Sequence, residues 1–99
     1  MRVVVDSPAD PRILEALLEG LVAANVELIE LYNLPPLYES GVRYKRERRG
    51  SERWQLAPTT YKQGYGDCED LASILAAERR LQGIDAWCVV VRTGARTLH

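Results

Sequence analysis

Between the aspartate–proline pair at residues 10 and 11 and the Asn-Leu-Pro-Pro run at residues 33–36, apolar residues recur at three- and four-residue spacing. Aspartate caps the free amide groups of a helix start, and proline suits the first helical position, where its missing N–H costs nothing. Ile13, Leu14, Leu17, Leu18, Leu21, Val22, Leu28 and Ile29 form the apolar stripe, with Arg12, Glu15, Glu19 and Glu30 opposite. Proline cannot donate to the helical ladder and pushes its predecessor out of helical geometry, so the helix ends near Tyr32. A chain of 99 residues has room for one small domain, residues 1–99, and this stripe must find an apolar partner within it.

That partner begins at "GDCEDLA", residues 66–72. Leu71, Ala72, Ile74, Leu75 and Leu81 predict a second helix from Cys68 to about Gln82, with Glu78, Arg79 and Arg80 exposed and Gly83 as its left-handed exit. "VVV" at residues 3–5 reads as a short strand, "AWCVVVR" at residues 86–92 as a buried one, and "TLH" at residues 97–99 as the start of a hairpin partner. The expected class is α+β, with both helices packed on a small antiparallel sheet.

Residues 33–66 read as one long loop leading to the cysteine helix, and loops of that length usually serve a purpose. Its basic run from Arg43 to Arg53 could grip phosphate, but Glu47 and Glu52 interrupt it. With Lys+Arg 13 against Asp+Glu 14, the net charge is -1, so a solvated loop is favoured over a nucleic-acid surface. No run of about 18 apolar residues exists to span a membrane, and "MRVVVDSP" lacks a cleavable leader, so a cytoplasmic protein is expected. In that compartment Cys68 and Cys88 read as two reduced thiols with different jobs, a single disulfide being the alternative.

Cys68, Leu71, Ala72 and Leu75 stand at i, i+3, i+4 and i+7, so the thiol lies on the buried face of its helix at the extreme N-terminal end. The dipole and free N–H groups there stabilise a thiolate and predict a lowered pKa, which Asp67, Glu69 and Asp70 partly oppose. A thiol nucleophile needs a base, and the sequence holds one histidine, His99. A thiol on a helix start, packed on a sheet whose neighbouring strand carries the imidazole, is the arrangement of Cys–His hydrolases. Asp67 is the helix cap. Cys88, within the apolar strand, reads as core, and Trp54 and Trp87 read as packing residues, with Trp54 the better candidate for a cleft wall. One histidine and two distant cysteines lack the paired spacing zinc prefers, so no metal and no cofactor is expected.

"PPLYESGVRYKRE", a tryptophan, then "GYGDCEDLA", a helix ending near "LQGIDA", a valine-rich strand and a histidine resemble the transglutaminase-like superfamily of papain-type cysteine peptidases. The chain from about Pro35 onward is similar to small transglutaminase-like proteins of tailed bacteriophages. The resemblance implies a papain-like fold, Cys68 as nucleophile, His99 as general base and acid, and an acidic residue on the following strand to orient the imidazole. It implies an oxyanion hole from the Cys68 N–H and an upstream donor at Trp54 or Gln55. The substrate would be an amide bond of a peptide or protein, and the setting the host cytoplasm or the virion. The alternative is a non-catalytic phage structural or assembly module that keeps the fold.

The acidic orienter has no counterpart before the chain stops at His99. Either the native protein continues or the triad is incomplete, and His99 itself is either native or part of a tag. A sheet this small predicts an exposed edge at Val89 to Val91, and with it either further residues in the native protein or self-association through that edge.

Overall fold

The computed structural model describes residues 2–5, 10–45 and 54–92, and every structural statement below concerns those residues. The elements in chain order are β1 (Arg2–Val5), α1 (Pro11–Tyr32), a 3-10 turn (Leu37–Glu39), β2 (Arg43–Tyr44), α2 (Ala57–Gln63), β3 (Tyr65–Gly66), α3 (Cys68–Leu81) and β4 (Val89–Arg92). The protein is a small α+β fold. No helix among the described residues is long and apolar enough to cross a membrane.

Helix α1 starts and stops where its local chemistry dictates. Asp10 is the N-cap, accepting from the Arg12 N–H, and Asn33 closes the helix in left-handed geometry at φ 52, ψ 50. Helix α3 lies antiparallel to it, since Asn25 meets Ser73 while Glu19 meets Arg80. Between them Leu14, Leu18, Leu21, Val22 and Ile29 pack with Ala72, Ile74, Ala76 and Ala77. Burial of such side chains contributes about 1.5–3 kcal/mol for each large aliphatic group. The fully buried Asn25 is compatible with this core because its amide is satisfied at both ends. Its Nδ2 donates to Ser73 Oγ at 3.1 Å, and its Oδ1 accepts the Ala57 N–H at 2.8 Å, so one side chain joins α1, α2 and α3.

Four sequence expectations need correction. The sheet is parallel, not antiparallel: β1 pairs with β4 in the register Arg2↔Val89 to Val5↔Arg92. The helices carry the chain across between the two strands, and a helical crossover of that kind returns a strand in the same direction. The hairpin partner expected at residues 97–99 lies outside the described residues. Secondly, residues 33–66 are not one loop, for they hold a 3-10 turn, α2 and the second parallel pair, β2 with β3. Pro58 in the first turn and Gly64 in left-handed geometry mark the ends of α2, but seven residues are too few for an apolar period to show.

Thirdly, the α1 stripe is wider than its partner. Ile13 and Leu17 are 59% and 56% exposed, on the flank that α3 and the sheet do not reach. Fourthly, the last strand begins at Val89 rather than at residue 86. Ala86 and Cys88 are buried in irregular chain, and Trp87 is an exposed side chain rather than a packing residue. That irregular segment is held from outside: Arg80 donates to the Ala86 carbonyl at 2.6 Å while both its terminal nitrogens bind Glu19. The Val90 N–H, which faces α1 instead of β1, is taken by Glu15 at 2.8 Å, so part of the strand edge expected to be open is covered.

Candidate functional site

Asp67 has extended backbone and ends the β3 segment, so α3 begins at Cys68 as the sequence predicts. The start is a full capping box. The Asp67 carboxylate accepts the Cys68 N–H at 2.6 Å and also the Asp70 N–H, while Asp70 Oδ2 accepts the Asp67 N–H at 3.1 Å. All three acidic residues of this turn, Asp67, Glu69 and Asp70, are buried. An exposed cap would need only water around it, whereas this one has to satisfy its oxygens within the protein.

Asp70 does so by reaching a second segment. Its Oδ1 accepts the Gln55 N–H at 2.8 Å, which docks the chain before α2 onto the first turn of α3. The Gln55 side chain is tied down in turn. Its Oε1 accepts from Gln63 Nε2 at 2.9 Å and from the Thr60 hydroxyl at 3.3 Å, and Gln63 Nε2 also donates to the Tyr65 carbonyl. Trp54 is half-buried against the core. Gly66 makes the close approach feasible, because a Cβ there would lie 2.9 Å from Thr60 Cγ2 and 3.1 Å from Asp70 Cβ. The segment 54–56, expected upstream of the nucleophile, is thus joined to the turn that carries Cys68.

The electrostatics of the thiol run opposite to the sequence expectation. Burial pushes the Cys68 pKa up to about 12, and the neighbouring carboxylates of Glu69 and Asp67 push the same way, with a hydrogen bond to the Glu69 side chain favouring the protonated sulfur. Glu69 is raised as well, chiefly by burial. The helix dipole loses here because the sulfur is half-buried, because two full carboxylates sit within reach of what is only a partial charge, and because the cap has already taken the Cys68 N–H. Cys88 is buried, and burial raises its thiol also.

Of the expected catalytic pair, only the thiol has a described position; His99 lies outside the described residues. Of the expected oxyanion donors, the Cys68 N–H is engaged by Asp67 and the Gln55 N–H by Asp70. Asp67, Cys68 and Glu69 each offer a ligand atom within 4.8 Å of the others. Two carboxylates and a thiol are a donor set that histidine and cysteine spacing does not reveal. The sequence shows the acidic residues on both sides of the cysteine, where they read as cap and dipole partners; what it does not show is that the oxygens of Asp67 and Glu69 converge with the sulfur. Comparison with known families, with curated proteins and with solved structures found no match to this chain.

Proposed function

We propose that the chain carries the nucleophile of a transglutaminase-like thiol hydrolase or acyl-transferase acting on an amide bond of a peptide or protein, with Cys68 and His99 as its reacting pair. The observation that carries this reading is the placement of Cys68. It occupies the first position of a core-packed helix, half-buried at the rim, with its backbone fixed by a reciprocal cap and the Trp54–Gln55 segment docked onto the same turn. In the proposed step the His99 imidazole takes the thiol proton and Sγ attacks the amide carbonyl carbon. The imidazolium then protonates the departing amine, leaving a thioester that water or a second amine resolves.

A thiol whose pKa stands at about 12 is inert at neutral pH, so the imidazole is indispensable to this reading. An imidazolium beside the sulfur adds charge of the opposite sign and favours the thiolate. The Cys68 N–H can serve an oxyanion only when the Asp67 carboxylate gives it up. These committed donors and the raised thiol favour the second reading, a non-catalytic phage structural or assembly module that keeps the fold.

Hydrolysis of fluorescein-labelled casein and incorporation of dansylcadaverine into dimethylcasein separate the two readings. Cys68→Ala should abolish whichever activity the protein has and change stability little. Cys88→Ala should keep the activity and cost about 1–2 kcal/mol, as expected for a truncated core side chain. Equal turnover in wild type and Cys68→Ala would remove Cys68 as nucleophile.

A further inference from the structure

We infer that Asp70 is a positioning residue for Cys68, a buried carboxylate clamp that fixes the Trp54–Gln55 segment and the nucleophile's backbone in one register. Asp70 is 0% exposed, and its two oxygens serve different parts of the chain. Oδ2 holds the Asp67 N–H, which sets the turn carrying Cys68, while Oδ1 holds the Gln55 N–H fifteen residues earlier. A cap needs only the first of these bonds. The second makes the carboxylate a bridge, and only an ionised acid offers an acceptor to both sides at once; an amide has one acceptor oxygen and turns a donor toward the other N–H.

The surroundings are built for this geometry. Gly66 leaves room for Asp70 Cβ, Ser73 Oγ donates to the Asp70 carbonyl at 2.8 Å, and the Ser73 hydroxyl also receives Asn25, anchoring the next turn of α3 to α1. With both of its sides fixed, the Asp70 carboxylate transmits that rigidity to the 54–55 backbone and to Cys68. Asp70 touches no reacting atom in this account. It acts through Cys68 and Gln55, and the inference rests on the thiol reading of Cys68 given above.

The test uses the two cysteines of the full chain against each other. Wild type, Asp70→Asn, Gln55→Pro and Gln55→Ala are alkylated with iodoacetamide at mildly alkaline pH, and modification at Cys68 and Cys88 is followed separately by peptide mass spectrometry. Gln55→Pro deletes the N–H that Asp70 holds and leaves the cap intact. Gln55→Ala keeps that N–H and loses only the side-chain bonds to Gln63 and Thr60, so it should stay at the wild-type rate. Loss of a charge-assisted hydrogen bond should open the first turn locally, so Cys68 alkylation should rise about tenfold or more while Cys88 stays at the wild-type rate. A parallel rise at both cysteines would reduce Asp70 to a general stabiliser of the fold and overturn the inference. An unchanged Cys68 rate in folded Gln55→Pro would overturn it as well, and that variant stands alone if Asp70→Asn does not fold. Because alkylation needs no substrate, an inactive wild type would count against the acyl-transfer reading without touching this result.

Discussion

Both long helices of this protein begin at an aspartate, and the two beginnings have little else in common. At α1, Asp10 caps from the surface: it accepts the Arg12 N–H at 2.8 Å and pairs with a guanidinium whose side chain is 89% exposed. At α3, Asp67 caps from within, answered by Asp70, and the box is fastened to the chain before α2. The first start terminates a helix in water. The second joins two segments of the chain beside a cysteine, so the same capping chemistry becomes structural cement and a boundary of the candidate site. What distinguishes them is the cover: burial converts carboxylates that would merely complement a dipole into groups that hold backbone N–H bonds and keep a thiol protonated.

The largest effect should come from removing the one group proposed to reverse that electrostatic sign. With His99→Ala, Cys68 is left with its carboxylates, so alkylation at neutral pH should fall by a factor on the order of 10²–10⁴, the range that a positioned base supplies. The pH profile should lose any neutral limb and climb only as pH passes from 9.0 towards about 12. The folded state then holds its proton where the unfolded chain has released it. Stability is therefore retained below the ordinary thiol pKa and lost as pH rises through that window. A profile identical to wild type would show that His99 does not address the sulfur.

Next in size is the loss of the buried clamp. Asp70→Ala leaves the Gln55 and Asp67 N–H groups without their acceptor in a buried turn, which should cost about 3–5 kcal/mol in urea unfolding. A cost near that of an exposed cap would erase the distinction between the two helix starts. Gly66→Ala probes the same turn from outside. The added methyl would stand 2.9 Å from Thr60 Cγ2, and forcing the neighbours apart should cost about 1–3 kcal/mol. A fully stable variant would mean that β3 and α2 are less closely fitted than the distance implies.

These contrasts also explain which features could be read from the sequence. Both caps, the end of α1 at Tyr32 and the Gly83 exit are local events, governed by residues close to one another in the chain, and each is where the sequence places it; the left-handed geometry of Asn33 is an addition of the structure. Helix α2 has local signals at Pro58 and Gly64, but too few residues for its period to emerge. The β1–β4 pairing joins the two ends of the described chain, and no local pattern distinguishes a parallel partner reached over helices from an antiparallel one. Ile13 and Leu17 fit the apolar period yet remain exposed, because periodicity gives the width of a stripe and not the width of what covers it. The position of Cys68 was legible for the same local reason as its cap. Its protonation was not, since burial and the inward placement of Glu69 are products of the whole fold.

The smallest effect belongs to Asp10. Replacing it with alanine removes the side-chain acceptor for the Arg12 N–H and leaves the first turn of α1 to water, which can solvate those donors because the site is on the surface. The expected loss is about 1 kcal/mol, the usual worth of an N-cap. Its ion pair with Arg12 should add nothing measurable, since the guanidinium side chain is 89% exposed and solvent screens the pair. Salt separates the two contributions. If the cap is what matters, the loss measured by urea unfolding stays the same from low to high ionic strength, because a short N–H to carboxylate bond is barely screened. A loss that fades as salt is added would assign the stabilisation to the ion pair instead. It would also make the start of α1 an electrostatic feature, narrowing the contrast with α3 to burial alone.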